Sequence, residues 1–283
     1  NMDRRMNDTT TAPAAEPAKA EKPAKKEDSF PVFLLKLAAV VLIFRSFIFA
    51  PFYIPSESML PRLINGDYLL LAKWPYGYSS RSLPLGVPLL PEKRVLAAMP
   101  QRGDVVVFKN PPLGKDDWIK RVIGLPGDRV QMKNGQVWLN GQPIPKQEIA
   151  PFEVAVSPNT TCLSPTFEAK NAEGVDVCRY PRFKETLPGG RSYDVLDLFT
   201  KPSDDTDVYV VPEGHLFLMG DNRDNSEDSR FPAEVGGGIG FVPVDNVIGR
   251  ATVMMWSTDG SAEWLKPWTW FTAARWSRIG GTF

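Results

Sequence analysis

Twenty residues, Phe30 to Phe49, form an apolar run interrupted only by Lys36, Arg45 and Ser46. At about 1.5 Å per helical residue such a run matches a hydrocarbon layer of roughly 30 Å. It is longer than the apolar stretch of a removable leader, and Pro51, Phe52 and Tyr53 follow it in place of a small-residue cleavage site. The run therefore predicts a retained transmembrane helix over residues 30–52. A charge at the bilayer centre costs about 2.5–3.5 kcal/mol, so Lys36 and Arg45 are expected to reach towards the nearer interface. Residues 1–29 are rich in Ala, Pro, Lys, Glu and Thr and have little to bury, which predicts a disordered tail. Lys19, Lys22, Lys25 and Lys26 precede the span, and only Arg62 lies in the next stretch of similar length. That asymmetry puts the amino terminus in the cytoplasm and everything after the span on the far side of the membrane. In an oxidising compartment Cys162 and Cys178 could pair; two buried free thiols are the alternative.

The chain's 22 glycines and 27 prolines, most of them beyond the span, are too many for a helical bundle. They fall between short β-branched and aromatic runs, the pattern of a mainly β protein. Strands are expected at Asp67–Ala72, Asp104–Phe108, Trp118–Ile123, Arg129–Lys133, Gln136–Leu139, Val208–Val211, Leu216–Met219 and Val247–Met255. Asn134-Gly135 and Asn140-Gly141 supply the positive φ angles of two-residue hairpins. From Ile144 to about Asp207 the pattern becomes polar and irregular. The expected organisation is an antiparallel, barrel-like β core in two parts, 53–128 and 214–283, with a β-rich extension at 129–213. Trp256, Trp264, Trp268, Trp270 and Trp276 crowd the last part, as in an interfacial belt.

Charge and rare residues narrow the function classes. Lys plus Arg number 33, as do Asp plus Glu, which removes the basic footprint of a nucleic-acid binder. Two cysteines cannot hold a structural zinc, and the single histidine, His215, excludes a multi-histidine metal site. His215 lies in an apolar strand, a poor place for a catalytic base.

Three blocks carry candidate chemistry. In Ile54-Pro55-Ser56-Glu57-Ser58-Met59, extended backbone would point both hydroxyls the same way. In Asp117-Trp118-Ile119-Lys120-Arg121-Val122-Ile123-Gly124-Leu125-Pro126-Gly127-Asp128, Lys120 sits in an apolar strand. An ordinary lysine amine is neutral in only about one molecule in two thousand at pH 7, and desolvation can lower its pKa by several units. The third block, Gly220-Asp221-Asn222-Arg223-Asp224-Asn225-Ser226-Glu227-Asp228-Ser229-Arg230, is a polar loop after the strand Leu216–Met219. Its alternating acids and arginines suit an ion-pair network.

Together, and in this order, the three blocks resemble bacterial type I signal peptidase, a membrane-bound Ser/Lys endopeptidase. The likeness covers the apolar run and most of residues 52–257. It implies Ser58 as nucleophile, Lys120 as general base, Ser226 as the hydroxyl that orients the amine, and Ser56 with the Ser58 N–H as the oxyanion hole. It implies that Arg121, Asp221, Asp228 and Arg230 form structural ion pairs. Phe52, Ile54, Met59, Leu63, Val107, Trp118 and Ile119 match positions lining two shallow pockets for small side chains, the basis of an Ala-x-Ala preference. The implied substrates are signal-peptide-bearing preproteins met at the inner, cytoplasmic membrane, with phospholipid as a second partner and neither metal nor cofactor. Two departures stand out. Arg62 occupies a place where the family often has threonine, and it receives no role. Tyr76–Met99 is longer than a minimal connection, and its leucines alternate with prolines, so it is expected either to pack on the surface or to dip into the outer leaflet. Ser-x-x-Lys with Lys-Thr-Gly, expected of a penicillin-binding hydrolase, is absent from the sequence. The non-enzymatic alternative is a membrane-tethered binding domain.

Overall fold

The computed structural model describes residues 29–79, 94–263 and 265–283. The tail expected over residues 1–29, except Ser29, and most of the leucine- and proline-rich stretch lie outside the described residues. The chain divides into two units, residues 1–39 and 40–283. Helix α1 (Phe30–Phe47) runs across that boundary. Its 18 apolar-rich residues are long enough to cross a membrane, and little of it is buried.

The second unit is mainly β. In chain order its strands are β1 (Phe49–Tyr53), β2 (Asp67–Ala72), β3 (Val105–Lys109), β4 (Asp117–Gly124), β5 (Arg129–Lys133), β6 (Gln136–Leu139), β7 (Gln142–Pro143) and β8 (Lys146–Ala155). They continue with β9 (Glu168–Lys170), β10 (Asp176–Thr186), β11 (Ser192–Leu196), β12 (Tyr209–Val210), β13 (His215–Met219), β14 (Val242–Pro243) and β15 (Val247–Ser257), before a short helix α2 (Trp268–Thr272). A seven-stranded antiparallel sheet has the order β1-β2-β15-β3-β4-β13-β14. Two smaller sheets, β12-β5-β6-β7 and β11-β10-β8 with β9 on β10, make up most of the extension. The two Asn-Gly pairs do close hairpins, with Asn134 and Asn140 at φ 48° and 52°.

Central position in the large sheet explains why β3 reads as the unbroken apolar run Val105-Val106-Val107-Phe108: both of its faces are buried. Val105 and Val107 pack with Ile54, Met59, Leu63 and Ile119, while Val106 and Phe108 pack with Val122, Leu216 and Leu218. Strand β4, bonded to β3 and β13, is held in register by Val106 opposite Lys120 and Val105 opposite Arg121. The Gly124–Asp128 motif then turns the chain. Asp128 accepts from Leu125 N at 2.6 Å and from Arg102 at 2.7 Å.

Two expectations are corrected. The helix ends at Phe47 and does not continue to residue 52; Phe49–Tyr53 pairs with β2, from Phe49 opposite Ala72 to Tyr53 opposite Tyr68. Pro51 has no N–H to donate and biases Ala50 towards extended backbone, so helix gives way to an edge strand, where a proline is tolerated. The stretch after Ile144 holds long strands: β8 and β10, 10 and 11 residues long, pair antiparallel with one register shift between Tyr180 and Arg182. Most of β8 is exposed, which removes the apolar alternation that marks a half-buried strand. Arg179 and Glu153 sit directly opposite each other there and pair at 2.6 Å.

Cys162 and Cys178 are joined in a disulfide, which decides between the two alternatives. Cys178 is buried with Val154, Phe167, Tyr180 and Leu196 against Leu60 and Ile64. The extension thereby packs under the segment that carries Ser58. Closing a loop of this length restricts the unfolded chain by about 3 kcal/mol.

Candidate active site

Ser58 lies in the tight connection between β1 and β2. Ile54 N donates to Asp67 O at 2.8 Å and Leu63 N to Met59 O at 2.9 Å, while Ile54, Met59 and Leu63 plug the turn into the core. Ser58 is left 9% exposed, and the Ser56 Oγ is 3.5 Å from its Oγ. The two hydroxyls converge as expected, although through a turn rather than extended backbone.

Lys120, only 3% exposed, points along β4 so that its Nζ donates to Ser58 Oγ at 2.8 Å. Its nitrogen lies 5.3 Å from the centre of the Trp118 ring on the same strand face. Burial lowers its pKa to about 8; Asp228, Asp221 and Glu227 oppose the shift and Arg230 adds to it. At pH 7 about one amine in ten is then neutral, hundreds of times the fraction for a solvated lysine.

The polar loop after β13 clamps the backbone around Ser58. Asn222 N donates to the Ser58 carbonyl and Asn222 Nδ2 to that of Glu57, both at 3.1 Å. The four ion-pair residues meet in two pairs. Arg121 grips Asp221 with two hydrogen bonds of 2.7 and 2.6 Å, and Arg230 grips Asp228 with two of 2.9 Å. Gly220, at the loop's start, is a close-approach position: a Cβ there would lie 2.6 Å from Ser58 O and 2.5 Å from Ser226 Cβ. Any side chain at Gly220 would have to displace the Ser58 carbonyl or the Ser226 side chain.

Ser226 departs from expectation. Its hydroxyl is buried against Gly220 and makes no hydrogen bond to any described residue, Lys120 included.

A cleft of about 580 Å³ opens over Ser58 and Lys120. Phe52, Trp118 and Ile119 line it, as do Ser56 and Ser226, and its other wall comes from Lys201, Ser203, Asn225 and Phe231. Ile54, Met59, Leu63 and Val107 do not open into it; they are fully buried beneath, in one cluster with Ile119 against Phe52. His215 lies away from the cleft, its Nδ1 2.9 Å from Glu213 O. Three carboxylates, Asp197, Asp204 and Asp224, converge within 4.8 Å near the cleft. They are engaged by Lys146 and by the Lys201, Leu198 and Phe199 N–H groups.

The family model described as "Signal peptidase, peptidase S26" matches residues 28–256. The chain belongs to this signal peptidase family. A signal peptidase I of Rickettsia typhi is 35% identical over 283 aligned residues, covering 92% of this chain and 94% of that protein. Another, from Rickettsia canadensis, is 37% identical over 231 residues, covering 78% and 77%. A signal peptidase I structure from Enterococcus faecalis is 26% identical with a TM-score of 0.29, covering 55% of this chain and 98% of that one. As a family member the chain is a membrane-anchored serine peptidase that removes signal peptides from preproteins.

In this signal peptidase a second buried network ties the loop to the extension. Arg223 makes two 2.6 Å hydrogen bonds to Glu185 of β10, and Tyr193 OH of β11 donates to the same carboxylate at 2.8 Å. The Arg121 guanidinium lies over the Tyr193 ring, 4.2 Å from its centre, which joins this network to the Arg121–Asp221 pair. Neither Glu185 nor Tyr193 was visible in the sequence as part of the site. Arg223 sits inside the loop motif, but its partner lies 38 residues away in a polar strand with no local signature.

Proposed function

We propose that the peptidase works by a Ser58/Lys120 dyad, and the observation that carries the reading is the 2.8 Å contact between a buried amine and a buried hydroxyl. Neutral Lys120 takes the Ser58 proton as Oγ attacks the scissile carbonyl carbon, so the carbonyl π pair moves to oxygen. Ser56 Oγ and the Ser58 N–H stabilise that oxyanion. Collapse expels the mature protein's amine, which receives the proton from Lys120, and leaves an ester on Ser58. Lys120 then deprotonates water, which hydrolyses the ester and regenerates the hydroxyl.

Arg121–Asp221 and Asp228–Arg230 hold the loop in place, and Ser226 lines the cleft beside the amine. The filled core under Phe52, Trp118 and Ile119 supports a preference for small side chains of the Ala-x-Ala kind: Ile54, Met59, Leu63 and Val107 form an incompressible floor. In this reading residues 53–128 and 214–283 are the two parts of the catalytic core around the 129–213 extension. The basic tail stays in the cytoplasm and the core faces the periplasm. Phospholipid is the second partner, supported by exposed Trp268, Trp270, Phe271 and Trp276, which suit a headgroup layer. The balanced charge of the chain as a whole argues against nucleic acid as a partner.

A pH profile tests the dyad. Lys120 must be neutral, and its pKa is lowered to about 8. Below that value kcat/KM should fall about tenfold per pH unit, and above it the rate should level off. A flat profile from pH 6 to 9 would remove Lys120 as the base.

A further inference from the structure

On the other side of β4 from Lys120, a second cavity of about 610 Å³ lies in the seam between the large sheet and the extension. Its lining gathers Arg62 from the Ser58 turn, Arg121 from β4, Arg182 and Lys184 from β10, Arg191 from before β11 and Arg278 from the C-terminal segment. Carboxylates meet four of these cations: Asp221 on Arg121, Asp194 on Arg182, Asp104 on Arg191 and Asp67 on Arg278. Arg62 and Lys184 make no direct ion pair among the described residues, although Asp194, which bonds Arg182, lies opposite Lys184 across the β10–β11 pairing. Arg62 instead lies with its guanidinium 5.2 Å from the centre of the Phe283 ring. Burial, Arg121 and Arg278 push its pKa down, against a smaller pull from Asp221 and Asp194. The chain as a whole balances 33 cationic against 33 acidic residues, so the cationic excess of this lining is local.

We propose that this cavity is a binding site for a phosphate monoester or free phosphate dianion, held by Arg62 and Lys184 and flanked by Arg182 and Arg191. Six cations against four carboxylates leave two positive charges in the lining, which match the nearly double negative charge of a phosphate at pH 7, whereas a carboxylate would leave one unmatched. Guanidinium forks converging from different elements suit its tetrahedral oxygens. The cavity is much larger than one phosphate, and Phe152, Tyr193 and Phe283 line it, so an organic group attached to the phosphate has a surface to pack on. The site shares no reacting group with the dyad, and the inference does not depend on the Ser/Lys reading.

Isothermal titration of the full chain in detergent micelles with inorganic phosphate, and separately with dihexanoyl phosphatidic acid, tests the proposal at constant ionic strength. Saturable binding of either is expected, weakened at least tenfold in Arg62→Thr/Lys184→Ala and at least threefold in Lys184→Ala alone. Tighter binding of the lipid would identify a headgroup as the source, and equal binding a soluble phosphate. Unchanged thermal unfolding temperatures without ligand check that the variants are folded. The proposal is overturned if neither ligand saturates, or if the folded variants bind as well as the parent.

Discussion

Purified Ser58→Ala and Lys120→Met proteins are expected to cleave a preprotein at least about 10⁴-fold more slowly than the parent, with unfolding temperatures close to it. Ser58→Ala removes the hydroxyl to which the Lys120 amine donates. Lys120→Met keeps the volume of a buried side chain while removing the nitrogen, so the loss is chemical rather than a cavity effect. Lys120→Arg gives the sharper control. A guanidinium keeps its proton at every accessible pH, so this variant should be inactive from pH 6 to 10 and should not recover above pH 8 as a mis-set amine would. Single-turnover cleavage with the enzyme in excess separates the chemical step from product release. Retention of more than a few per cent of the parent rate by Lys120→Met would end the dyad assignment.

The second large effect concerns stability. Glu185→Ala should lower stability by about 3–5 kcal/mol, because it strands the Arg223 guanidinium where water cannot reach it. For a domain of this size that amounts to a drop of roughly 10 °C in the unfolding temperature. Replacing both partners in Glu185→Met/Arg223→Met should return most of the loss, since matched apolar groups avoid the unpaired charge. The Arg223 charges and the Tyr193 hydroxyl hold the Glu185 carboxylate below its ordinary pKa, against the opposing effect of burial, and Arg230 does the same for Asp228. For carboxylates depressed in this way the stabilisation is fully present above the ordinary range near pH 4–4.5 and is lost as pH falls through the folded-state values. Tryptophan fluorescence during heating of the full chain in micelles reads both effects. A Glu185→Ala protein within about 1 kcal/mol of the parent would mean that the pair is relaxed by water.

The network also shows why part of the site could not be read from the chain. Ser58, Lys120 and the Gly220–Arg230 loop were legible because each lies in a compact local motif beside an apolar segment. The strands β2, β5 and β6 were legible because period-two alternation and Asn-Gly turns are local signals. Glu185 and Tyr193 gave no such signal: their neighbours on β10 and β11 are polar, and only folding brings them against Arg223. The end of α1 was misplaced because hydropathy continues through Phe49–Tyr53 while hydrogen bonding changes partner, from the helix itself to β2.

The order of residues alone determined an apolar span, a mainly antiparallel β body and the chemical identity of a hydroxyl and an amine, since each follows from local composition and period. Tertiary structure decided that the amine is desolvated against that hydroxyl, that the Ser226 hydroxyl is left unbonded, and that cations from several elements face a common cavity. Desolvation and through-space charge depend on distances between segments far apart in the chain, and only the packed fold sets those distances.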